Sequence, residues 1–178
     1  MFVAGGASIV AAIKYTVGDN AYGYRGLGDL FVFIFFGLVS VMGSYFAMAG
    51  VLPWIYMLPA SAIGLLSAGV LNMNNIRDIE NDSACGKRTL PVMLGVKRAK
   101  IYHYVLILAA VICLFIYTFL HPAGWTAYLF VIVLPLLGIH LKNVYRGEGR
   151  ELDSQLKFLS ITTLLLTLLL GFGQIIGK

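Results

Sequence analysis

The sequence predicts an all-α, multi-span transmembrane helical bundle, with five full spans and one partial N-terminal span in a single transmembrane domain over residues 1–178. Three observations carry that prediction. Of the 178 residues, 60% are hydrophobic and 12% are charged, where a soluble domain carries about 25% charged residues. No Asp, Glu, Lys or Arg occurs in residues 30–76 or in residues 101–141, and a bilayer's hydrocarbon core needs about 20 apolar residues per helix, so each block holds two spans. Backbone amides in lipid must also be satisfied within their own segment, and the alternating pattern of a barrel strand is absent, which leaves helices.

The elements follow in order. Residues 1–13 are apolar but reach only about 20 Å at about 1.5 Å per residue, so they are read as the partial span, the tail of a helix in an N-terminally truncated chain. The first cation, Lys14, follows this stretch, which is the wrong order for a secretory signal peptide. Spans 30–49 and 54–73 are joined through Pro53-Trp54, and spans 101–120 and 125–141 through His121-Pro122-Ala123-Gly124. Pro and Gly interrupt helices, and Trp favours the membrane interface. Leu-rich residues 158–176 form the last span. Ala60, Gly64 and Ala68, four residues apart, predict a close approach by another helix.

Charge sets the orientation. Lys and Arg number two in residues 14–29, six in 77–100 and four in 142–157, against Lys178 alone at the other end. The positive-inside rule puts those three loops in the cytoplasm. The same distribution explains the net charge of +5 without a nucleic-acid partner, and none is expected. Cys85 in a polar loop and Cys113 in an apolar run form no disulfide framework or metal motif.

Chemistry concentrates where the second span leaves the membrane, at Asn74-Asn75-Ile76-Arg77-Asp78-Ile79-Glu80-Asn81-Asp82. At about 100° per residue, Asn74, Asn75, Asp78 and Asp82 fall in one stripe and Glu80 points away. Mg²⁺ takes oxygen ligands and is commonly held by one or two carboxylates together with substrate phosphates. Gly86-Lys87-Arg88-Thr89-Leu90-Pro91 then supplies two cations and a hydroxyl after a flexible glycine, a combination that suits an anion. The residues alone leave two readings open: a metal and phosphate site, or a helix end whose mixed charges are merely solvated.

The loop containing Lys14-Tyr15-Thr16 and Tyr22-Gly23-Tyr24-Arg25-Gly26-Leu27-Gly28-Asp29 mixes aromatics, glycines and charges. Its glycine spacing is not that of a dinucleotide-binding turn, and an interfacial turn with Tyr anchors competes with a functional role. The third loop, with Glu148, Glu151 and Asp153, is read as solvated charge. His103, His121 and His140 lie near span ends with no common ligand spacing, and are expected to pack at the interface. No ionisable residue sits near the centre of a span, which weighs against a transport relay.

Taken together, Lys14-Tyr15-Thr16, the Tyr22 to Asp29 stretch leading into Phe31-Val32-Phe33-Ile34-Phe35-Phe36-Gly37, and Asn74 to Asp78 with Asp82 and Gly86 to Leu90 resemble the UbiA-type intramembrane prenyltransferases. Within them the 1,4-dihydroxy-2-naphthoate polyprenyltransferases of menaquinone synthesis are most similar. The resemblance implies a nine-helix bundle of the bacterial inner membrane whose cavity, open sideways to lipid, brings a polyprenyl diphosphate to an aromatic acid, with Mg²⁺ between two Asp-rich motifs. Asp78 and Asp82 match the second motif as metal ligands. Lys87 and Arg88 match as catalytic cations, and Lys14, Tyr15, Tyr24, Arg25, Asn74, Asn75 and Arg77 as substrate contacts. Asp29 is implied either near the acceptor or in ordering its loop. The first Asp-rich motif is absent, because nothing before Asp19 is acidic. Alternatives are another aromatic acceptor, such as 4-hydroxybenzoate, or a non-catalytic membrane scaffold.

Overall fold

The computed structural model describes residues 5–6, 9–10, 13–14 and 22–177. A short turn at Tyr22–Tyr24 leads into α1 (Gly28–Ala49), α2 (Trp54–Arg77), α3 (Ile79–Ala84), α4 (Leu90–Leu94), α5 (Val96–Leu120), α6 (Trp125–Arg146), a turn at Gly149–Leu152 and α7 (Asp153–Ile176). No strand occurs among the described residues. Of the stretch expected as a partial span, Gly5, Gly6, Ile9, Val10 and Ile13 are helical, as is Lys14 just beyond it; the rest lies outside the described residues.

Among the described residues five helices are long and apolar enough to cross a membrane, and each runs further at its charge-rich end than hydropathy marks. α1 starts at Gly28, α2 continues to Arg77, α5 starts at Val96, α6 continues to Arg146 and α7 starts at Asp153. Hydropathy marks where lipid stops, but a helix ends only where its backbone bonds stop being made. The overhanging turns carry the polar side chains.

α2 is the hub, packing against α1, α5 and α7, while α7 also runs along the first half of α6. The buried positions show why. α5 hides Ala99, His103, Leu106, Ala110, Leu114 and Tyr117, and α7 hides Leu159, Thr162, Leu166, Leu170 and Gly173. Both series step by three and four residues, the seam of helices packed nearly side by side. Their opposite faces keep Val105, Phe119, Ile161 and Ile175 exposed, as lipid requires and water does not favour. Trp54 and Trp125, 68% and 80% exposed, stand at the charge-poor end, where interfacial Trp is expected.

α1 meets α2 at Gly37 and Gly64: a Cβ on Gly37 would lie 2.6 Å from the Ala60 carbonyl oxygen and 2.6 Å from Gly64 Cα. Ala60 and Ala68 are fully buried alongside, so the small-residue spacing serves close packing. Within α1, Phe33–Met42 adopts the wider π-helical bonding between α-helical turns. The helix ends at Gly50, whose φ of 68° puts it in the left-handed region while its N–H bonds the Phe46 carbonyl at 2.9 Å.

Two histidines depart from expectation. His103 and His140 are fully buried, with their Nε2 atoms 2.9 Å apart, and His140 Nδ1 is 3.3 Å from Gln155 Oε1. α5 and α6 each turn one imidazole to the same dry spot, where a polar ring is tolerated because the other partners it. Thirty-seven residues separate them in sequence, which hides the pairing. His121 is half-buried and stacks on Tyr117 with ring centroids 5.5 Å apart.

Gly37→Ala forces backbone against backbone, so a loss of about 1–3 kcal/mol is expected, read as a lower midpoint of thermal unfolding in detergent. Gly43→Ala, where nothing lies within 4 Å, leaves the midpoint unchanged or slightly raised.

Candidate active site

α2 delivers the acidic stripe to the membrane surface. Its regular turn ends at Arg77, and Asp78 sits at φ −94° and ψ 12°. The bonds from Asp78 N to Asn74 O (3.1 Å) and from Asp82 N to Asp78 O (2.8 Å) keep the helical spacing, so α3 resumes in nearly the same register. The stripe therefore persists but is graded by burial. Asn75 and Asp82 are buried, Asn74 and Asp78 are half-buried, and Glu80 is exposed.

Each carboxylate has its own cation. Lys87 Nζ donates to Asp82 Oδ1 at 3.2 Å, and Lys87 N bonds the Asp82 carbonyl at 2.8 Å, which folds the loop back on α3. Arg77 grips Asp78 with a fork, Nε to Oδ1 at 2.7 Å and Nη2 to Oδ2 at 2.6 Å. The same guanidinium bonds Asn74 Oδ1 at 2.8 Å and, from α7, Asp153 Oδ1 at 2.9 Å. The fork holds the Asp78 carboxyl below the usual carboxylate range, against burial that pushes it up, and the Lys87 charge adds to the lowering.

Two motifs far apart in sequence meet here. Arg88 N bonds the Tyr24 carbonyl at 3.0 Å. Gly26, at φ 75°, lies so close that a Cβ would sit 3.2 Å from the Arg88 carbonyl oxygen and collide with the Met93 methyl. Tyr24, Arg25 and Arg88 stand exposed around this contact, and Thr89 is buried beneath it. Asp29, 4% exposed, has the Tyr102 hydroxyl of α5 as a neighbour. Asn72 Nδ2 donates to the Ala99 carbonyl at 3.1 Å.

Oxygens are left over. Asp82 Oδ2, Asp29 Oδ2, Asn72 Oδ1, Asn75 Oδ1 and Thr89 Oγ1 are buried without a hydrogen-bond partner. Buried polar atoms are normally satisfied, so such a group calls for a ligand or water. Hard oxygen donors are the chemistry of Mg²⁺, and the donor set fits that ion. Among the described residues no three His, Cys, Asp or Glu gather into a metal cluster, so an ion held by Asp78 and Asp82 would need further oxygen ligands from water or substrate, as Mg²⁺ commonly takes. Beside Arg77 opens a cleft of about 1200 Å³ lined in part by Asp78, Glu80, Lys97, Lys100 and Asp153.

A family model described as the UbiA prenyltransferase family matches residues 1–172. The chain belongs to this family. It is 43% identical over 171 residues to a 1,4-dihydroxy-2-naphthoate octaprenyltransferase of Haemophilus influenzae, an alignment covering 96% of this chain and 56% of that protein. A protein of the same name from Escherichia coli is 45% identical over 144 residues, covering 81% and 47%. One from Mycobacterium tuberculosis is 34% identical over 180 residues, covering 98% and 61%. The chain spans about half the length of the curated relatives it matches. No solved structure matches it.

Of the positions in this UbiA chain that the sequence singled out, the structure brings Asn74, Arg77, Asp78, Asp82 and Lys87 together, with Asn75 buried on the same stripe. Arg88, Tyr24 and Arg25 form an adjoining rim, and Asp29 sits apart on Tyr102. Lys14 is exposed, and Tyr15 lies outside the described residues. Sequence reasoning missed Asn72, Tyr102 and Asp153. Asn72, three residues before Asn75, shares its helix face and could have been found. Tyr102 reads as an interfacial anchor, and Asp153, 76 residues from Arg77, reads as solvated charge; the structure corrects that reading by placing it on Arg77.

Because the folded-state Asp78 carboxyl is lowered, its ion pair is complete above the ordinary carboxylate value of about 4 and is lost only as pH falls through the lowered one. Arg77→Gln removes the first cause, so a ¹³C-carboxyl NMR titration is expected to show the Asp78 midpoint rising toward the ordinary range.

Proposed function

We propose that this chain serves the transfer of a polyprenyl group from polyprenyl diphosphate to 1,4-dihydroxy-2-naphthoate, with loss of the acceptor's carboxyl group as CO₂, in menaquinone biosynthesis. One observation carries the reading. Asp82 is buried with an unpartnered oxygen one helical turn from Asp78, and Lys87 lies close to both carboxylates, in a chain 43% identical to a protein named for this reaction. The UbiA membership supports a prenyltransferase.

The chemistry divides among the residues. Lys87 and Arg88 bind the diphosphate, with Lys14, Tyr15 and Arg25 from the first loop as further contacts, and Asn74 and Asn75 supply polar contacts beside the acids. Asp78 and Asp82 hold Mg²⁺, which when bound offsets the negative charge of the leaving diphosphate. The prenyl C1–O bond breaks with its electron pair going to diphosphate. Lys87 and Arg88 beside the leaving group stabilise this charge at the moment of reaction. The electron-rich ring carbon bearing the carboxylate forms the new C–C bond, and the ring–carboxyl bond returns its electrons as CO₂ departs. Asp29, beside Tyr102, orients the acceptor or its loop. With twelve of thirteen Lys and Arg at this end, the site faces the cytoplasm of a bacterial inner membrane, and the prenyl tail stays in lipid.

In proteoliposomes with polyprenyl diphosphate, Mg²⁺ and carboxyl-labelled dihydroxynaphthoate, labelled CO₂ is expected in step with prenylated product, and 4-hydroxybenzoate is expected to compete poorly. Asp82→Ala lowers turnover by about 100-fold or more, in the range seen when a group stabilising transition-state charge is lost. Prenyl diphosphate with Mg²⁺ also slows amide exchange across residues 77–90. Product without CO₂ release, or unaltered turnover in Asp82→Ala, overturns the proposal.

A further inference from the structure

The two acids of the stripe are held differently. Asp82 keeps one oxygen free in a buried site, 8% exposed. Asp78 has both oxygens taken by one guanidinium, and that guanidinium has a second carboxylate, Asp153, on its other side. A planar fork laid along a carboxylate covers the edge a metal ion would use, and a divalent cation brought there meets the positive charge of Arg77 at close range.

The same geometry supplies a release. Asp153 is more than half exposed, and the cleft beside Arg77 leaves room for its head to turn. Asn74 and Asp153 bond the Nη atoms, so Arg77 stays tethered when Nε and Nη2 leave Asp78. A diphosphate offers the guanidinium the same two-pronged acceptor that the carboxylate does, with more charge. Arg77 could therefore exchange Asp78 for a diphosphate and leave the carboxylate to a metal that came with it; a metal alone would offer Arg77 no such acceptor.

We propose that Arg77, tethered to Asp153, is a latch on Asp78 that admits a divalent cation only together with a diphosphate. Arg77 and Asp153 act through Asp78 and are positioning residues. The inference rests on the reading that Asp78 and Asp82 hold the metal, and it adds an order of loading that this reading does not require. A cell's free divalent ions are kept off Asp78 until substrate is present.

The test uses the full chain in lipid nanodiscs, Mn²⁺ as a spectroscopic probe read by electron paramagnetic resonance, and inorganic pyrophosphate as the anion. In the wild type, pyrophosphate is expected to tighten Mn²⁺ binding by about tenfold or more, a usual size of coupling between two ligands. Arg77→Lys keeps the charge but loses the fork, so it is expected to bind Mn²⁺ alone about tenfold more tightly than wild type and to lose most of the pyrophosphate effect. Arg77→Gln is expected to behave the same way. Asp153→Asn removes the competing carboxylate and is expected to weaken binding of Mn²⁺ alone.

Mere charge proximity predicts instead that Arg77→Lys matches wild type, and that result overturns the latch, as does wild-type Mn²⁺ affinity indifferent to pyrophosphate. Asp78→Asn and Asp82→Asn separate the two levels of the argument. If neither changes Mn²⁺ binding, the metal reading itself fails. If both weaken it while Arg77→Lys stays at wild type, only the latch fails.

Discussion

Backbone amides inside a bilayer have no water to bond, so beyond Pro59, which has no N–H to donate, α2 must complete its hydrogen bonds within its own segment as far as Arg77. That obligation makes α2 a rigid rod at the point where it leaves the lipid, and the charged end of the molecule is built on it. α1 closes on the rod through glycine contacts, α5 and α7 pack along it, and each brings one polar residue to its end: Asp29, Tyr102 and Asp153. A loop could not hold an arginine fork and a buried carboxylate one turn apart without paying for its own ordering.

The site also solves a problem of charge. Two carboxylates on successive turns repel, and the burial of Asp82 makes its charge costly. Each is answered by a cation close in sequence, Arg77 beside Asp78 and Lys87 five residues past Asp82. Acids and bases alternate within a few ångströms, so neither carboxylate is left without a cation beside it. Side-chain oxygens left without donors beside it show that the protein alone does not complete this network.

What could be read from sequence and what could not divides along physical lines. The five spans are legible because lipid enforces apolar composition over a fixed length, yet their boundaries are misplaced by as much as five residues, always at the end where charges take over from lipid. The Asn74 to Asp82 stripe is legible because helical spacing is local. Contacts between distant segments leave no such trace. Nothing in the sequence couples Asp153 to Arg77, Tyr102 to Asp29, or His103 to His140, since each pair is brought together by the angle at which two helices cross. The histidines mislead most. A polar ring near a span end looks interfacial, and only its partner on another helix makes full burial tolerable.

The bond between the Arg88 amide and the Tyr24 carbonyl joins main chain to main chain. A fastening of this kind is indifferent to the side chains that flank it. Tyr24 can therefore be exchanged for another residue while the strap stays buckled, whereas Gly26, wedged beneath it, cannot. Variation in this lineage is then expected at the exposed Tyr24 side chain before it touches Gly26.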